Sequence, residues 1–251
     1  DFAGDVLFAR NGSAAENIIN SLSIKQRPRF IEAIRDFLKF LREKLKGNRD
    51  ITFGILMLET RYKNAALRAA EVAEVRSDRE GGTASGSEKV SYSISYTTNN
   101  KPVAVIDEDI LSGVPKSKWV QTVKNIISEK FTDGIPIGGR LIKVNSITRS
   151  EFTNSKYSKY LKSSDGTIYR DKFKSANNLD DIVLASTNYI NEDLKHSRND
   201  KFTEFARGDV LIRVGGNDYS AKVIVGFTSG NQMVLYDVIN FMPASFKIKN
   251  E

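Results

Sequence analysis

The C-terminal end of the chain constrains the fold most. Asp209–Val214, Tyr219–Phe227 and Met233–Phe241 are runs in which apolar and polar residues alternate, joined by Gly215-Gly216-Asn217 and Ser229-Gly230-Asn231. Such alternation is the two-residue period of a strand, and tight Gly/Asn joints turn one strand antiparallel to the next. Ser245–Ile248 reads as one more strand. The chain is therefore predicted to end in a four-stranded antiparallel meander. A sheet of this kind must bury one face. Tyr219, Ala221, Val223, Val225 and Phe227 share one side of their strand, with Ser220, Lys222 and Ile224 on the other. The first side should meet helices, leaving Lys222 on the open face. Arg213, in alternation with Ile212 and Val214, should face out as well, and Tyr236 and Asp237 should point to opposite faces.

The covering helices are predicted upstream. Pro115 suits a helix start, Val120, Val123, Ile127 and Phe131 fall on one side with Trp119 beside them, and Gly134 ends the pattern. Residues 150–162 read as one helix, and 180–194 as helical or mixed. Short apolar runs at 90–96, 102–106 and 140–144 read as strands. Further upstream, Ile31, Ile34, Leu38, Leu41 and Leu45, then Ile55, Leu58, Tyr62, Ala65, Ala69 and Val72, predict a helical hairpin. The organisation expected is thus a hairpin spacer over 1–76, a Gly/Ser-rich linker over 77–88, and an α+β domain over 89–251. Gly81 and Gly86 have Walker-like spacing, but Ser87 stands where a phosphate-binding lysine belongs and no strand precedes it, so a P-loop is rejected.

Composition removes several chemistries. Cysteine is absent, which excludes disulfides, thiol catalysis and Fe–S or zinc-finger sites, and a single histidine excludes a multi-histidine metal centre. Asp107-Glu108-Asp109 cannot converge on Mg²⁺ from an extended chain, because neighbours alternate faces; this triplet reads as a loop or cap before Ile110. No cofactor is expected. No apolar run is long enough to cross a bilayer and no signal-peptide pattern is present. The chain starts at Asp1 and its methionines fall at 57, 233 and 242, so it reads as a piece of a longer polypeptide.

The net charge of +7 is local. Residues 140–174 hold nine basic against three acidic residues, interleaved with Phe152, Tyr157, Tyr160, Tyr169 and Phe173. Cations contact phosphates and aromatic faces stack on unpaired bases, so the mixture suits single-stranded or looped nucleic acid. Arg149, Lys156, Tyr157, Lys159, Tyr160 and Lys162 are the candidate contacts, joined by Lys195. A solvated helix with half-buried tyrosines is the plain alternative.

Three blocks carry a resemblance: PVAVIDEDILSGVPKSKWVQTVK, SKYSKYLKSSDGTIYRDKF, and LASTNYINEDLKHSRNDKFTEFARGDVLIRVGGNDYSAKVIVGFTSGNQMVLYDV. Over about 102–249 they resemble a large polyvalent protein-associated domain of phage and mobile-element proteins. The layout is similar, more loosely, to the barnase/EndoU/RelE-like (BECR) ribonuclease fold. That resemblance implies a toxin-like, metal-independent ribonuclease acting by 2′-OH attack. His196 is the one side chain whose ordinary pKa lies near neutrality; Lys195 and Arg198 flank it, favour its neutral form, and Arg198 could clamp a phosphate. Arg213, Lys222, Tyr219 and Tyr236 would complete the site from the sheet, and Ser245 occupies the place of an EndoU-type Ser or Thr. EndoU enzymes use two histidines and a lysine, so here a Tyr or Lys would take the second proton. The alternative is a module that binds nucleic acid or another partner without cutting. RNA (tRNA among the candidates) and an immunity protein are the partners implied, with no membrane, and the location implied is the cytoplasm of the producing or a target cell.

Overall fold

The computed structural model divides the chain into two compact units, Asp1–Tyr92 and Ser93–Glu251. It describes residues 94–99, 101–137, 140–192, 201–230 and 232–249, together with scattered positions between 22 and 43, some of them helical. Most of the expected hairpin and the whole linker lie outside the described residues, so the hairpin is not part of the observed architecture. The second unit holds the sheet.

Its centre is the three-strand run legible in the sequence. β6 (Glu204–Val214), β7 (Asn217–Phe227) and β8 (Met233–Pro243) pair antiparallel in sequence order. Gly215 and Gly216 turn β6 into β7 with φ of 53° and 89°, a region that side chains resist. The expected four-stranded antiparallel meander is nevertheless wrong. Among the described residues the sheet has eight strands, and it is mixed. β2 (Pro102–Ile106) lies parallel to β6, Val103 opposite Leu211, and β1 (Ile94–Tyr96) pairs with β2. β4 (Arg140–Lys143) lies parallel to β8, and β3 (Ile135–Ile137) pairs with β4. β5 (Thr187–Glu192) runs antiparallel to β6 beyond the end of β2, so β2 and β5 share one edge of β6 end to end. The expected strand at Ser245–Ile248 does not form: Ile248 makes only an isolated bridge to Thr97. The strands added at both flanks overturn the four-stranded layout expected of the domain.

Parallel neighbours need long crossovers, and these carry the helices. The crossover from β2 holds α1 (Trp119–Lys130), entered after Pro115 through a 3-10 turn. After β4 come α2 (Ser146–Asn154), α3 (Lys156–Ser164), α4 (Gly166–Lys174) and α5 (Leu179–Ala185). The single helix expected over 150–162 is two, because Ser155 stops α2 and caps α3, accepting from Ser158 N at 3.2 Å. Asn145 and Thr148 form a reciprocal capping box that starts α2.

The core lies between the helices and one face of the sheet. Phe152, Phe173, Val123, Ile127, Ile142, Val223, Val225, Leu235 and Val238 are fully buried there. The aromatic stack Trp119–Tyr169–Phe173–Phe152 links α1, α4 and α2. Beyond the β4 contact, two carbonyls of β8 are satisfied by helix side chains: Thr148 Oγ1 donates to Leu235 O at 2.5 Å and Tyr157 Oη to Phe241 O at 3.2 Å. No helix among the described residues is long and apolar enough to cross a membrane.

Candidate nucleic-acid interface

The basic run of 140–174 is split by the fold into two classes. Three of its cations pair with carboxylates of the protein. Lys172 is fully buried; its ammonium donates to Asp237 Oδ1 and to Ser158 Oγ, each at 2.9 Å. It also lies 4.8 Å from the Phe152 ring centre and 5.2 Å from that of Tyr157. Burial pushes the Lys172 ammonium below its ordinary pKa while Asp237 opposes the shift. Burial likewise raises the Asp237 carboxyl against the pull of Lys172, and raises Glu151 beside them, with Asp237 adding to that rise. Arg170 and Lys174 reach Asp109, at 2.8 Å and 3.5 Å, and Lys174 also reaches Asp171 at 3.4 Å. Asp109 accepts from Leu111 N too, so the acidic triplet serves as a cap and a helix anchor.

The other six, Arg140, Lys143, Arg149, Lys156, Lys159 and Lys162, form no ion pair with a described residue. Arg149 is half-buried and the rest are exposed. On α3 the inward side is Tyr157, Ser158 and Leu161, and Lys156, Lys159, Tyr160 and Lys162 are left in solvent. Tyr157 is held in the protein through Phe241 O, and burial pushes its hydroxyl up to about 12. Of the residues expected to grip nucleic acid, the fold therefore exposes the three lysines and Tyr160, and turns Tyr157 inward. Lys195 lies outside the described residues.

Among the described residues, those expected to form a catalytic site are spread over both sides of the sheet and the stretch after β8. His196 and Arg198 lie outside the described residues. Tyr219 is buried on the helix side, where its hydroxyl donates to Asp171 Oδ2 at 2.7 Å; burial and Asp171 raise its pKa. Arg213 and Lys222 share the opposite face of the sheet, but each is matched across the strands. Arg213 holds Asp218 through two nitrogens, at 2.6 Å and 3.2 Å, and Lys222 holds Asp209 at 2.9 Å. The sheet face is thus charge-balanced rather than a cationic platform. Tyr236 packs against Phe202 and Phe205. Ser245 is exposed in the stretch after β8, not at the start of a strand.

Lys172 and its neighbours escape a sequence reading. A lysine amid five others looks solvated. The available signal is its phase, since Ile168, Tyr169, Lys172 and Phe173 recur at helical spacing on the buried side of α4.

Asp171 gives a direct test of the α4–β7 junction. It is buried and accepts from both Tyr219 Oη and Asn217 Nδ2. Tyr219→Phe removes one charge-assisted bond and is expected to cost about 1.5–2 kcal/mol. Urea unfolding would measure it, and an unchanged midpoint would show the bond contributes nothing.

Comparison with protein-family models, curated proteins and solved structures finds no match to this chain.

Proposed function

We propose that this chain is a nucleic-acid-binding module of a phage or mobile-element protein, contacting its ligand through α2, α3 and the neighbouring β3–β4 hairpin. One observation carries the reading: among the described residues, carboxylates take up Arg170, Lys172 and Lys174, while the six cations from Arg140 to Lys162 pair with none. Glu151 is the one acid within that stretch, and it is half-buried. Unmatched cations in series repel one another and concentrate a polyanion at the surface. The balanced pairs Arg213–Asp218 and Lys222–Asp209 make the sheet face the weaker candidate. The resemblance of 102–249 to polyvalent-protein domains supports the mobile-element setting.

Reversing three charges at once, in Lys156→Glu/Lys159→Glu/Lys162→Glu, is expected to weaken RNA binding at least about tenfold. The dependence of log K on log salt should flatten by about 2, since each lost phosphate contact on a single strand removes roughly 0.7. Equal affinity in wild type and variant would sink the reading. The same preparations decide about cleavage. RNA cut in EDTA to cyclic-phosphate ends, with the activity lost in His196→Ala, would move the chain to the metal-independent ribonucleases. Salt-sensitive binding without cleavage leaves it a binding module.

A further inference from the structure

We infer that α3 selects unpaired nucleic acid, stacking a base on Tyr160 with Lys156 and Lys159 holding the adjoining phosphates. This rests on the reading of the basic surface given above and names its ligand class.

The fold leaves one ring among the five aromatics of the basic run. Phe152 and Phe173 have no exposed surface and Tyr169 has 2%, all three in the aromatic stack of the core. Tyr157 is turned inward, its ring beside the Lys172 ammonium and its hydroxyl on Phe241 O. Tyr160 is 64% exposed. Nothing in the packing of α3 calls for an aromatic side chain there, because Leu161 and Ser158 supply the buried side. Positions three and four apart on a helix are neighbours, with Cβ atoms about 5–6 Å from each other. Lys156 therefore stands one turn from both Lys159 and Tyr160 and lies between them on the exposed side of the helix, so a ring face and two cations border one another.

That combination discriminates between ligands. A phosphate backbone, paired or not, satisfies the lysines equally. A ring face can stack only on a base whose own face is free, and in a duplex the faces are covered by the neighbouring pairs. An acidic protein surface would match the lysines as well, but would draw nothing specific from an exposed tyrosine in their midst. Charge complementarity and the stacking face together point to a single strand.

The test uses the full chain and fluorescein-labelled oligouridine RNA, free or annealed to its complement, with affinities from fluorescence anisotropy. Wild type should bind the single strand more tightly than the duplex. Tyr160→Ala should weaken single-strand binding on the order of tenfold and leave duplex binding unchanged. Tyr160→Phe should keep single-strand affinity, since the ring face does the work. The triple reversal of Lys156, Lys159 and Lys162 should weaken both. If that reversal weakens binding but Tyr160→Ala does not, the stacking inference fails and the basic surface stands. If neither variant changes affinity, both fail. Tighter binding of the duplex by wild type also overturns the inference. Tyr160 lies in solvent, and circular dichroism would confirm that its variants keep the fold.

Discussion

Replacing Lys172 with methionine is expected to destabilise the folded unit by about 3–5 kcal/mol. The lost attraction is the smaller part of this. The larger part is what remains: an Asp237 carboxylate with 1% exposure that has lost its ammonium partner, with Glu151 nearby. Burying an ion pair gains little over burying hydrocarbon, but removing one member strands the other. Lys172→Met/Asp237→Leu should therefore recover most of the loss, since no buried charge then remains and the volumes are similar. The pH dependence has a definite sign. The carboxyl of Asp237 already titrates above its ordinary range in the folded state, and without Lys172 it rises further. Such a group favours folding when protonated, so its stabilisation is complete below the ordinary carboxylate pKa and is lost as pH rises through the raised value. The single variant should thus close part of its gap to wild type as the solution is acidified from neutrality. Chemical denaturation of the wild type, single and double variants at two pH values decides it. A loss under about 1 kcal/mol, or a double variant no better than the single, would show that the pair does not stabilise as described.

The second large effect is expected at Gly134. It follows α1, its amide donates to Phe131 O at 3.0 Å, and its φ is +80°. A Cβ at this position would lie 2.7 Å from Ile142 O, a backbone atom of β4 that cannot swing aside. Gly134→Ala is expected to cost about 2–4 kcal/mol, combining a left-handed penalty of roughly 1–2 kcal/mol with displacement of β4. Gly113 separates the two terms. Its φ is +71° and a Cβ there would meet nothing within 4 Å. Gly113→Ala should then show the dihedral penalty alone. Thermal unfolding of both variants should rank Gly134→Ala clearly below Gly113→Ala. Equal losses would mean that the close approach of β4 is absorbed at no cost.

How much of this was legible follows from which forces are local. Strands β6, β7 and β8 could be read because each alternates along its length and the turns between them are short. The phase of β7 could be read too, placing Tyr219 with the helices and Lys222 away from them. The pairing of β2 with β6 and β4 with β8 could not, since a parallel partner leaves no trace in the sequence between the strands. Parity fails near the start of β8, where the register shifts between Ile224 and Val225 and an inserted residue breaks the strict alternation. Alternation alone therefore does not reveal that Asp237 is the buried partner of a helix lysine. The charge of 140–174 was visible as a sum, but which cations would be neutralised depended on Asp109 and Asp237, residues far away in sequence. The cap at Ser155 is a local signal as well, and it divides the helix that carries the proposed surface.

The shared edge of β6 has a consequence for how the chain is made. β2 reaches its partner only when Leu211 and its neighbours exist, and β4 waits for Met233 and Val234. On the ribosome, α1 to α5 emerge with their apolar sides finished while only the short β1–β2 and β3–β4 pairs exist to meet them. The nascent chain must carry that greasy surface until the last strands are synthesised, so collapse comes late and all at once. Stalled or truncated products lacking β7 and β8 would be the species that chaperones and proteases meet.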